Sequence, residues 1–437
     1  MKDTIRIGCG AGFSGDRFEP AVILAEKGQL DYLVLECLAE RTIALAQQQK
    51  QINPELGYDP FLERRINSLL PFLARRKITL ITNMGAANPL AAARKVKELC
   101  LKQGFNFKVA ALTGDNVLSS ITGNEKVIEN NRTISESGIL VSANAYLGIE
   151  GILEALAADA DIIITGRVAD PSLFLAPMVF EFGWTLAEQL GQGTVIGHLL
   201  ECGGQLTGGY FMDVAGKQVS NPANLGFPIA EVSKNGTAVL TKVAGTGGSL
   251  NLRTVKEQLL YEVLNPHRYA TPDVIADFTK VRLKELGKDE VLVTDGTGTE
   301  AGNLLKVSVG YKAYYLGEGE ISYAGYDAVD RSKLAITILE ERLKSDEVQE
   351  IRYDLIGLNS INEDKLNVRS FPYDVRLRVA AKCTSKAAAQ RIGEEVEALY
   401  TNGPAGGGGC RKYCKEVIGI HSVFMEKDNV PFKVTLV

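Results

Sequence analysis

The residues Ile5 to Pro20, IRIGCGAGFSGDRFEP, decide how the N-terminal part of the chain folds. A short apolar run is followed by a glycine-rich segment, and a proline then opens a second apolar run, Ala21 to Ala25. This order predicts a strand, a loop and a helix. The first question about function is whether the loop binds a dinucleotide.

Three glycines in this stretch have the G-x-G-x-x-G spacing of dinucleotide-binding loops: Gly10, Gly12 and Gly15. Glu36 lies about 20 residues further on, as such a fold requires. However, the first-turn proline comes well after the last glycine, and Asp16 lies where a phosphate needs neutral amides or positive charge. We therefore do not expect NAD. Two interpretations remain, a tight turn or a loop that presents Ser14, Asp16 and Arg17 to a ligand.

The composition is that of an ordinary water-soluble globular protein. Of its 437 residues, 45% are hydrophobic and 23% are charged, and the formal net charge is -5. This charge offers no basic surface for nucleic acid, and no apolar run is long enough to span a membrane. The cysteines, scattered from Cys9 to Cys414, favour free thiols over a disulfide framework. We expect a cytoplasmic protein that binds neither nucleic acid nor membranes.

Short apolar runs alternate with helical patterns in the N-terminal half and predict a parallel sheet covered by helices. The predicted strands are Ile5–Cys9, Tyr32–Leu35, Lys77–Thr82, Phe107–Leu112 and Asp161–Thr165. Helices are expected at Asp59-Pro60, Asn88-Pro89 and Asp170-Pro171, because each pair places a capping residue before a proline. Pro71 is expected to kink or split the first of these helices.

The remainder of the chain shows two other patterns. Residues 229–243 predict a hairpin around Asn235-Gly236, and Ile196–Cys202 has a helical pattern that ends at a glycine pair. From about residue 300 the predicted order is β-α-β-β-α-β, which is the ferredoxin-like arrangement. We therefore expect an α/β protein with an open, Rossmann-like parallel domain over residues 1–200. A mixed connecting region over 201–295 and a ferredoxin-like α+β domain over 296–437 follow it.

Polar side chains follow each of the five predicted N-terminal strands. They are Asp16 and Arg17, then Glu36, Asn83, Asp115, and finally Arg167 with Asp170. Because ligands of parallel sheets bind beyond the carboxyl ends of the strands, these residues predict a polar cleft. Each also has a structural interpretation: Asp170 as a helix cap, Asp115 as a turn residue, and Glu36 as part of a first helical turn.

In such a cleft the four carboxylates, Asp16, Glu36, Asp115 and Asp170, would act as acid and base or hold a divalent cation. Arg167 would bind a substrate carboxylate or phosphate. Further substrate contacts are expected from Ser14, Arg17 and Asn83.

His198 and Glu201 are separated by three positions, so that on a helix they share one face. The pair could ligate a metal ion, but a structural role is more usual for an isolated H-x-x-E. Nothing in the adjoining sequence activates Cys202, which we interpret as a small buried residue instead of a nucleophile.

Two glycine-rich loops offer consecutive backbone amides to an anion. The first contains Gly247 and Gly248, which we assign to a phosphate-bearing part of the substrate. The second, Asn402–Gly409, begins as the C-cap of a predicted helix. Its further glycines would be explained by close approach of a ligand or of another subunit, and we expect a homo-oligomer.

Several segments along the chain are distinctive as a set. They read GCGAGFSGDR, TNMGAANP, TGDN, TGRVADPSLFLAPM, HLLECGGQLTGGYF, GTGGSL, GEGEISYAG and YTNGPAGGGG. In this order, from about Ile5 to Val423, the chain resembles the AtuA-type acyclic terpene utilisation proteins. The resemblance implies the breakdown of isoprenoid or branched acids as coenzyme A thioesters. It implies no catalytic residue and no mechanism.

The sequence thus predicts an enzyme, a lyase, hydratase or hydrolase that acts on a small carboxylate or its coenzyme A thioester. The cofactor stays open, with a divalent cation as the candidate. The alternative is a non-catalytic subunit or scaffold of an acyl-CoA-processing complex, which fits a second domain and the lack of a strong nucleophile or metal motif. A scaffold predicts that the polar strand ends do not converge.

Overall fold

The computed structural model describes residues 2–361 and 372–437. Contacts among them group into two compact units. The first unit comprises the chain up to Glu136, Leu140–Gly310 and Ile420–Val437, and the second comprises Ser137–Ile139 and Tyr311–Gly419.

The elements alternate along the chain. The strands are β1 (Thr4–Ala11), β2 (Tyr32–Leu35), β3 (Thr79–Thr82), β4 (Val109–Thr113), β5 (Leu140–Ala145), β6 (Ile162–Thr165), β7 (Pro228–Ser233), β8 (Ala238–Lys242), β9 (Tyr269–Ala270), β10 (Val274–Asp277), β11 (Arg282–Gly287), β12 (Glu290–Thr294), β13 (Thr297–Glu300), β14 (Leu304–Ala324), β15 (Val348–Ile356), β16 (Asp374–Cys383), β17 (Gly408–Glu426) and β18 (Lys433–Leu436). The helices are α1 (Glu19–Lys27), α2 (Glu40–Ile52), α3 (Leu62–Arg76), α4 (Pro89–Lys102), α5 (Glu150–Ala157), α6 (Ser172–Phe182), α7 (Ala187–Glu201), α8 (Leu252–Leu260), α9 (Ala328–Arg342) and α10 (Lys386–Asn402).

The first unit is built on a mixed sheet. Within the described ranges its strands lie in the order β11-β12-β8-β7-β1-β2-β3-β6-β4-β18. The central strands β1, β2, β3, β6 and β4 are parallel neighbours. On one side β7, β8, β12 and β11 pair antiparallel, and on the other β18 does so. The five predicted strands are therefore present and form the parallel part of the sheet. The predicted hairpin is also present, as β7 and β8, and it extends the sheet.

The parallel strands bury side chains on both faces of the sheet. Along β2, Tyr32 and Val34 belong to one hydrophobic cluster, whereas Leu33 and Leu35 belong to the other. Burial on both faces explains why these strands are apolar at every position.

Two glycines of the opening stretch permit close packing. A Cβ atom at Gly10 would lie 2.9 Å from the Cβ of Ala21 in α1, which is too close for any side chain. A Cβ at Gly12 would lie 2.4 Å from the carbonyl carbon of Cys202. The first glycine thus lets α1 approach the sheet, and the second lets the loop after β1 approach the end of α7.

The second unit is a sheet with helices packed on it. Its strands lie in the order β15-β16-β14-β17, and α9 and α10 bury apolar side chains such as Leu339, Ile392 and Val396 against it. Along the chain the elements run strand, helix, strand, strand, helix, strand, which is the predicted order.

Some helices differ from the expectation. α3 runs through Pro71 as one helix, so Pro71 does not split it, and the alternative of a kink stays a prediction. Pro71 is exposed on the solvent side of α3. α7 begins at Ala187, well before the predicted Ile196. Ten consecutive residues of α7, Gly191 to Leu200, are buried, so the helix shows no polar face by which its start could be recognised.

Candidate functional site

A cleft of about 670 Å³ lies in the first unit at the carboxyl ends of β1 and β2. The loop after β1, the segment after β2 and the end of α7 contribute to its lining. Of the predicted site residues, the cleft brings together Ser14, Asp16, Arg17, Glu36, Asp170 and Glu201. Asn83 and Arg167 reach these residues through hydrogen bonds to Glu36 and Asp170, so four of the five polar strand ends meet at the cleft. Asp115, at the fifth, is bonded to the backbone amide of Arg167.

Asp16 closes the loop that follows β1. One carboxylate oxygen accepts the amide of Gly12 at 2.9 Å, and the other accepts the amide of Arg17 at 3.0 Å. Burial raises the pKa of Asp16, and these amide bonds oppose the shift. The Arg17 guanidinium in turn donates to the carbonyl of Ala223 at 2.5 Å. Asp16 thus shapes the loop, and its catalytic role stays a prediction.

Glu36 is buried at the end of β2 and held through one oxygen. Its Oε1 accepts Nδ2 of Asn83 and the amide of Leu38, both at 2.8 Å. The Asn83 Oδ1 accepts the amide of Cys37 at 2.7 Å, which fixes the orientation of Asn83. The Oε2 of Glu36 accepts no hydrogen bond from the described residues. Burial, reinforced by the charge of Asp170, raises the pKa of Glu36 well above its ordinary value.

Arg167 is fully buried next to Asp170. Its Nη1 donates to Oδ1 of Asp170 at 3.0 Å and its Nη2 to the carbonyl of Leu38 at 2.7 Å. The guanidinium lies over the ring of Tyr146, 4.7 Å from its centroid. The sequence predicts that Arg167 binds a substrate anion. In the structure its partner is the carboxylate of Asp170. The N-cap position of α6 is occupied by Pro171, so Asp170 is not the helix cap.

Two neighbouring carboxylates have opposite electrostatic environments. The Asp170 side chain is 34% exposed, yet protein surrounds the rest of it. Burial raises its pKa to about 7, with Arg167 opposing the shift and Glu201 adding to it. For Glu40, burial is outweighed by the hydrogen bond from Tyr146 and the charge of Arg167, which lower the pKa to about 2. Near neutral pH, Glu40 stays ionised while Asp170 exchanges its proton readily.

His198 and Glu201 contact each other at the end of α7. The Nδ1 of His198 lies 2.8 Å from Oε1 of Glu201, and its Nε2 lies 3.0 Å from the carbonyl oxygen of Gln258. Both ring nitrogens are therefore engaged within the protein. Among the described residues, no three His, Cys, Asp or Glu side chains are arranged to hold a metal ion. The sequence left two roles open for this pair, metal binding and a structural contact. The two contacts of the His198 ring are those of a structural pair.

Asp115 lies behind the cleft and not in its lining. Its Oδ2 accepts Nδ2 of Asn144 at 2.8 Å and the backbone amide of Arg167 at 3.0 Å. A Cβ at Gly166 would lie 2.6 Å from the other carboxylate oxygen. Asp115 thus positions the turn that carries Arg167, and its catalytic role stays a prediction.

Gly247 and Gly248 also lie outside the lining of the cleft. Their amides donate to the carbonyls of Asn224 and Ser220, at 2.8 and 2.7 Å. The amides predicted to bind a phosphate are thus already bonded within the protein.

Several residues of the site were not predicted from the sequence. The lining also includes Glu40, Tyr210, Tyr261 and Glu262. Glu40 closely follows β2, so the rule of polar strand ends would have found it. Nothing in the local pattern around the others marks them.

Arg65, in α3, holds the loop after β1 from behind. It is fully buried, and its Nη2 donates to the carbonyls of Ser14 at 3.0 Å and Asp16 at 2.6 Å. Arg65 lies on the apolar stripe of α3, three positions after Leu62 and four before Leu69. A charged residue on such a stripe is a usable indication of a buried polar role.

The sequence is similar to a protein family along almost all of its length. Residues 5–436 match the family model described as acyclic terpene utilisation family protein AtuA. The chain belongs to this family. The AtuA family name indicates acyclic terpene utilisation, which is consistent with isoprenoid catabolism.

Two further comparisons and a search for membrane spans complete these findings. Neither the curated proteins nor the solved structures yield a match to this AtuA family chain. In the part of the chain that the structure describes, no helix combines the length and apolar character needed to cross a membrane.

Proposed function

We propose that the chain is an acid–base enzyme of isoprenoid or branched-chain acid breakdown. It acts on a small carboxylate or its coenzyme A thioester as a lyase, hydratase or hydrolase. The observation that carries this proposal is the convergence of Glu36, Asp170 and Glu201 on one cleft. In each, one oxygen is held by a donor of the protein or by His198, and the other accepts no hydrogen bond from the described residues.

The protonation of these groups supports proton transfer near neutral pH. Burial raises the pKa of Glu36 well above its ordinary value and that of Asp170 to about 7. A general acid or base works best when its pKa lies near the working pH. Two adjoining carboxyls with separate environments can divide the roles of acid and base between them.

The walls of the cleft suit a hydrocarbon chain. Leu38, Leu225 and Phe227 contribute apolar side chains to the lining. A branched acyl chain would pack on these side chains and bring its reacting carbon toward the carboxyls. The family name, which refers to terpenes, agrees with such a substrate.

Charge limits which part of a substrate enters the cleft. Six acidic side chains and one basic side chain line it: Asp16, Glu36, Glu40, Asp170, Glu201, Glu262 and Arg17. Phosphates would be repelled by this lining. A coenzyme A thioester would therefore insert its acyl end and keep its phosphates outside.

Isotope incorporation tests the proposal before the substrate is known. The purified chain is incubated in water enriched in deuterium and heavy oxygen with methyl-branched short acids, unsaturated or hydroxylated, both free and as coenzyme A thioesters. Hydration adds heavy hydrogen and oxygen to an unsaturated acid, thioester hydrolysis adds heavy oxygen to the carboxyl, and a reversible lyase reaction returns heavy hydrogen to the acid. Mass spectrometry detects each of these. We expect incorporation by the wild type and its loss in Asp170→Asn.

Equal incorporation by Asp170→Asn and the wild type would contradict the proposed site. An absence of incorporation across the panel would contradict the enzyme proposal and favour the scaffold of an acyl-CoA-processing complex. Folding of the variant is checked by circular dichroism.

A further inference from the structure

His198 and Glu201 are linked by a contact that requires a hydrogen atom. The His198 ring is fully buried, and its Nε2 lies 3.0 Å from the carbonyl oxygen of Gln258. A carbonyl oxygen only accepts hydrogen bonds, so Nε2 carries a hydrogen. The opposite nitrogen, Nδ1, lies 2.8 Å from Oε1 of Glu201, which is hydrogen-bond distance.

Only two arrangements satisfy both contacts. Either Nδ1 is protonated and donates to the Glu201 carboxylate, or Glu201 is protonated on Oε1 and donates to a bare Nδ1. Both contain one proton between Nδ1 and Oε1, and in both the pair is neutral overall. Removing that proton would place two lone pairs against each other in a buried site.

We infer that His198 and Glu201 hold one proton between them, and that Glu201 therefore offers its other oxygen as an acceptor. His198 is then a positioning residue, which acts on a ligand only through Glu201. The inference deepens the proposed function and rests on it, because it assigns a role to Glu201, one of the three carboxyls that carry that proposal.

The unused oxygen of Glu201 indicates the chemistry of the group that would meet it. Its Oε2 is buried and has no hydrogen-bond partner among the described residues. A buried acceptor without a partner is unfavourable, so a donor from the adjoining cleft would be bound. That donor carries an O–H or N–H group, such as a hydroxyl or a water molecule, since an ether or carbonyl oxygen has no hydrogen to give.

His198 is the titratable neighbour that can supply a positive charge next to Glu201. Burial raises the pKa of Glu201, His198 opposes that shift and Glu262 adds to it. The other titratable neighbours are Asp170, Cys202 and Tyr269, whose pKa values burial raises, with the charge of Glu201 adding to the shift in each case. None of these neighbours brings a positive charge that would replace His198.

Nuclear magnetic resonance of the ring nitrogens tests the inference on the full chain without any substrate. Proton–nitrogen correlation spectra distinguish a protonated ring nitrogen from a bare one. The chain contains 3 histidines, so His198 can be assigned by the signals that disappear in His198→Gln. In the wild type we expect Nε2 to be protonated and one proton to lie on the Nδ1–Oε1 contact. That proton is seen either as a protonated or shared-proton Nδ1 signal or, where Nδ1 is bare, as the carbon shift of a protonated Glu201 carboxyl.

The matched variants are Glu201→Gln and Glu262→Gln. In Glu201→Gln the amide supplies the hydrogen, so we expect a bare Nδ1 in this variant. In Glu262→Gln the wild-type signals should stay unchanged, and the signals of exposed His267 should be the same throughout. A bare Nε2 in the wild type, a bare Nδ1 beside an ionised Glu201 carboxyl, or an Nδ1 that stays protonated in Glu201→Gln would overturn the inference. Because no reaction is measured, failure of the isotope experiment leaves this test intact.

Discussion

Glu36 in the first unit and the carboxylates on the sheet of the second unit differ in the charge of the groups that donate hydrogen bonds to them. In the second unit Arg378 donates Nη1 to Asp354 at 3.0 Å and Nη2 to Glu318. In the cleft of the first unit Glu36 is bound by an amide side chain and a backbone amide, both neutral. Both of these second-unit carboxylates are thus bonded to a cation, whereas the cleft keeps more acids than bases.

This difference supports the proposed site in the first unit. A carboxylate that loses water must be compensated, and an ion pair with additional hydrogen bonds does so. Groups left without such compensation have shifted pKa values, which are typical of catalytic sites. The paired face of the second unit therefore serves as an internal reference for Glu36, whose hydrogen-bond donors are neutral.

The largest effect is expected from Glu36→Gln. Glutamine keeps the shape and the acceptor for Asn83 but cannot take up a proton. The rate of isotope incorporation should fall about a thousand-fold, the usual range for loss of a general acid or base. Glu320→Gln, which alters a carboxylate paired with Arg376 at 3.4 Å in the second unit, is the matched control. A comparable loss in the control would remove the distinction between the two regions.

Arg65→Met should produce the next largest effect, on stability. The substitution leaves the carbonyls of Ser14 and Asp16 without their donor, so the free energy of unfolding should fall by about 3 kcal/mol. The neighbouring Arg64 is exposed and, like Arg65, lies over the Phe18 ring at 4.4 Å. Arg64→Met should therefore change stability by less than about 1 kcal/mol. Denaturant unfolding measures both, and equal losses would contradict the role of Arg65 as the residue that holds the loop.

A smaller effect is expected when carboxylates on the sheet of the second unit lose an arginine partner. Arg378→Met removes a donor from Glu318 and from Asp354, which keeps its bond from Arg352, and the second unit should lose about 2 kcal/mol of stability. Lys382→Met, which breaks an exposed pair with Glu350 at 2.5 Å, should cost no more than about 1 kcal/mol. Hydrogen exchange of the amides in β15 and β16 reports on this unit. Unchanged exchange in Arg378→Met would show that pairing is not what stabilises the face.

How far the sequence predicts this molecule depends on the range of the interactions. The strand β2 is predicted without error, as Tyr32–Leu35, because burial on both faces makes all its residues apolar. Glu36 and Asp170 are found by the rule of polar strand ends, which rests on the topology of parallel sheets. Both predictions need only local pattern and a general property of the fold.

Contacts between segments that are distant along the chain could not be predicted from the sequence. Whether the amides of Gly247 and Gly248 are free depends on Asn224 and Ser220, whose approach no local pattern encodes. The partner of Arg167 depends on side-chain direction, which put the Asp170 carboxylate and the Leu38 carbonyl around its guanidinium. A rule that locates a polar residue at a strand end therefore does not determine what that residue binds.

A further effect is expected on how stability depends on pH. The pKa of Glu36 is raised in the folded state, so the folded chain keeps a proton that the unfolded chain has lost. Stability contributed in this way is present below the unfolded pKa and declines as pH rises toward the folded one. Glu36→Gln lacks this decline, and its stability relative to wild type should rise by up to about 1.4 kcal/mol per pH unit above about pH 5.

Glu40→Gln supplies the control for this slope, because its shift has the opposite sign. The pKa of Glu40 is lowered to about 2, so its contribution is fully present above the unfolded value and is lost only as pH falls toward about 2. Between about pH 6 and pH 8 this variant should therefore differ from the wild type by a constant amount. Denaturant unfolding at several pH values measures both variants. If stability depends on pH in the same way in Glu36→Gln and Glu40→Gln, the pKa of Glu36 is not raised in the folded state. The buried acid of the cleft would then be compensated as fully as the paired acids of the second unit.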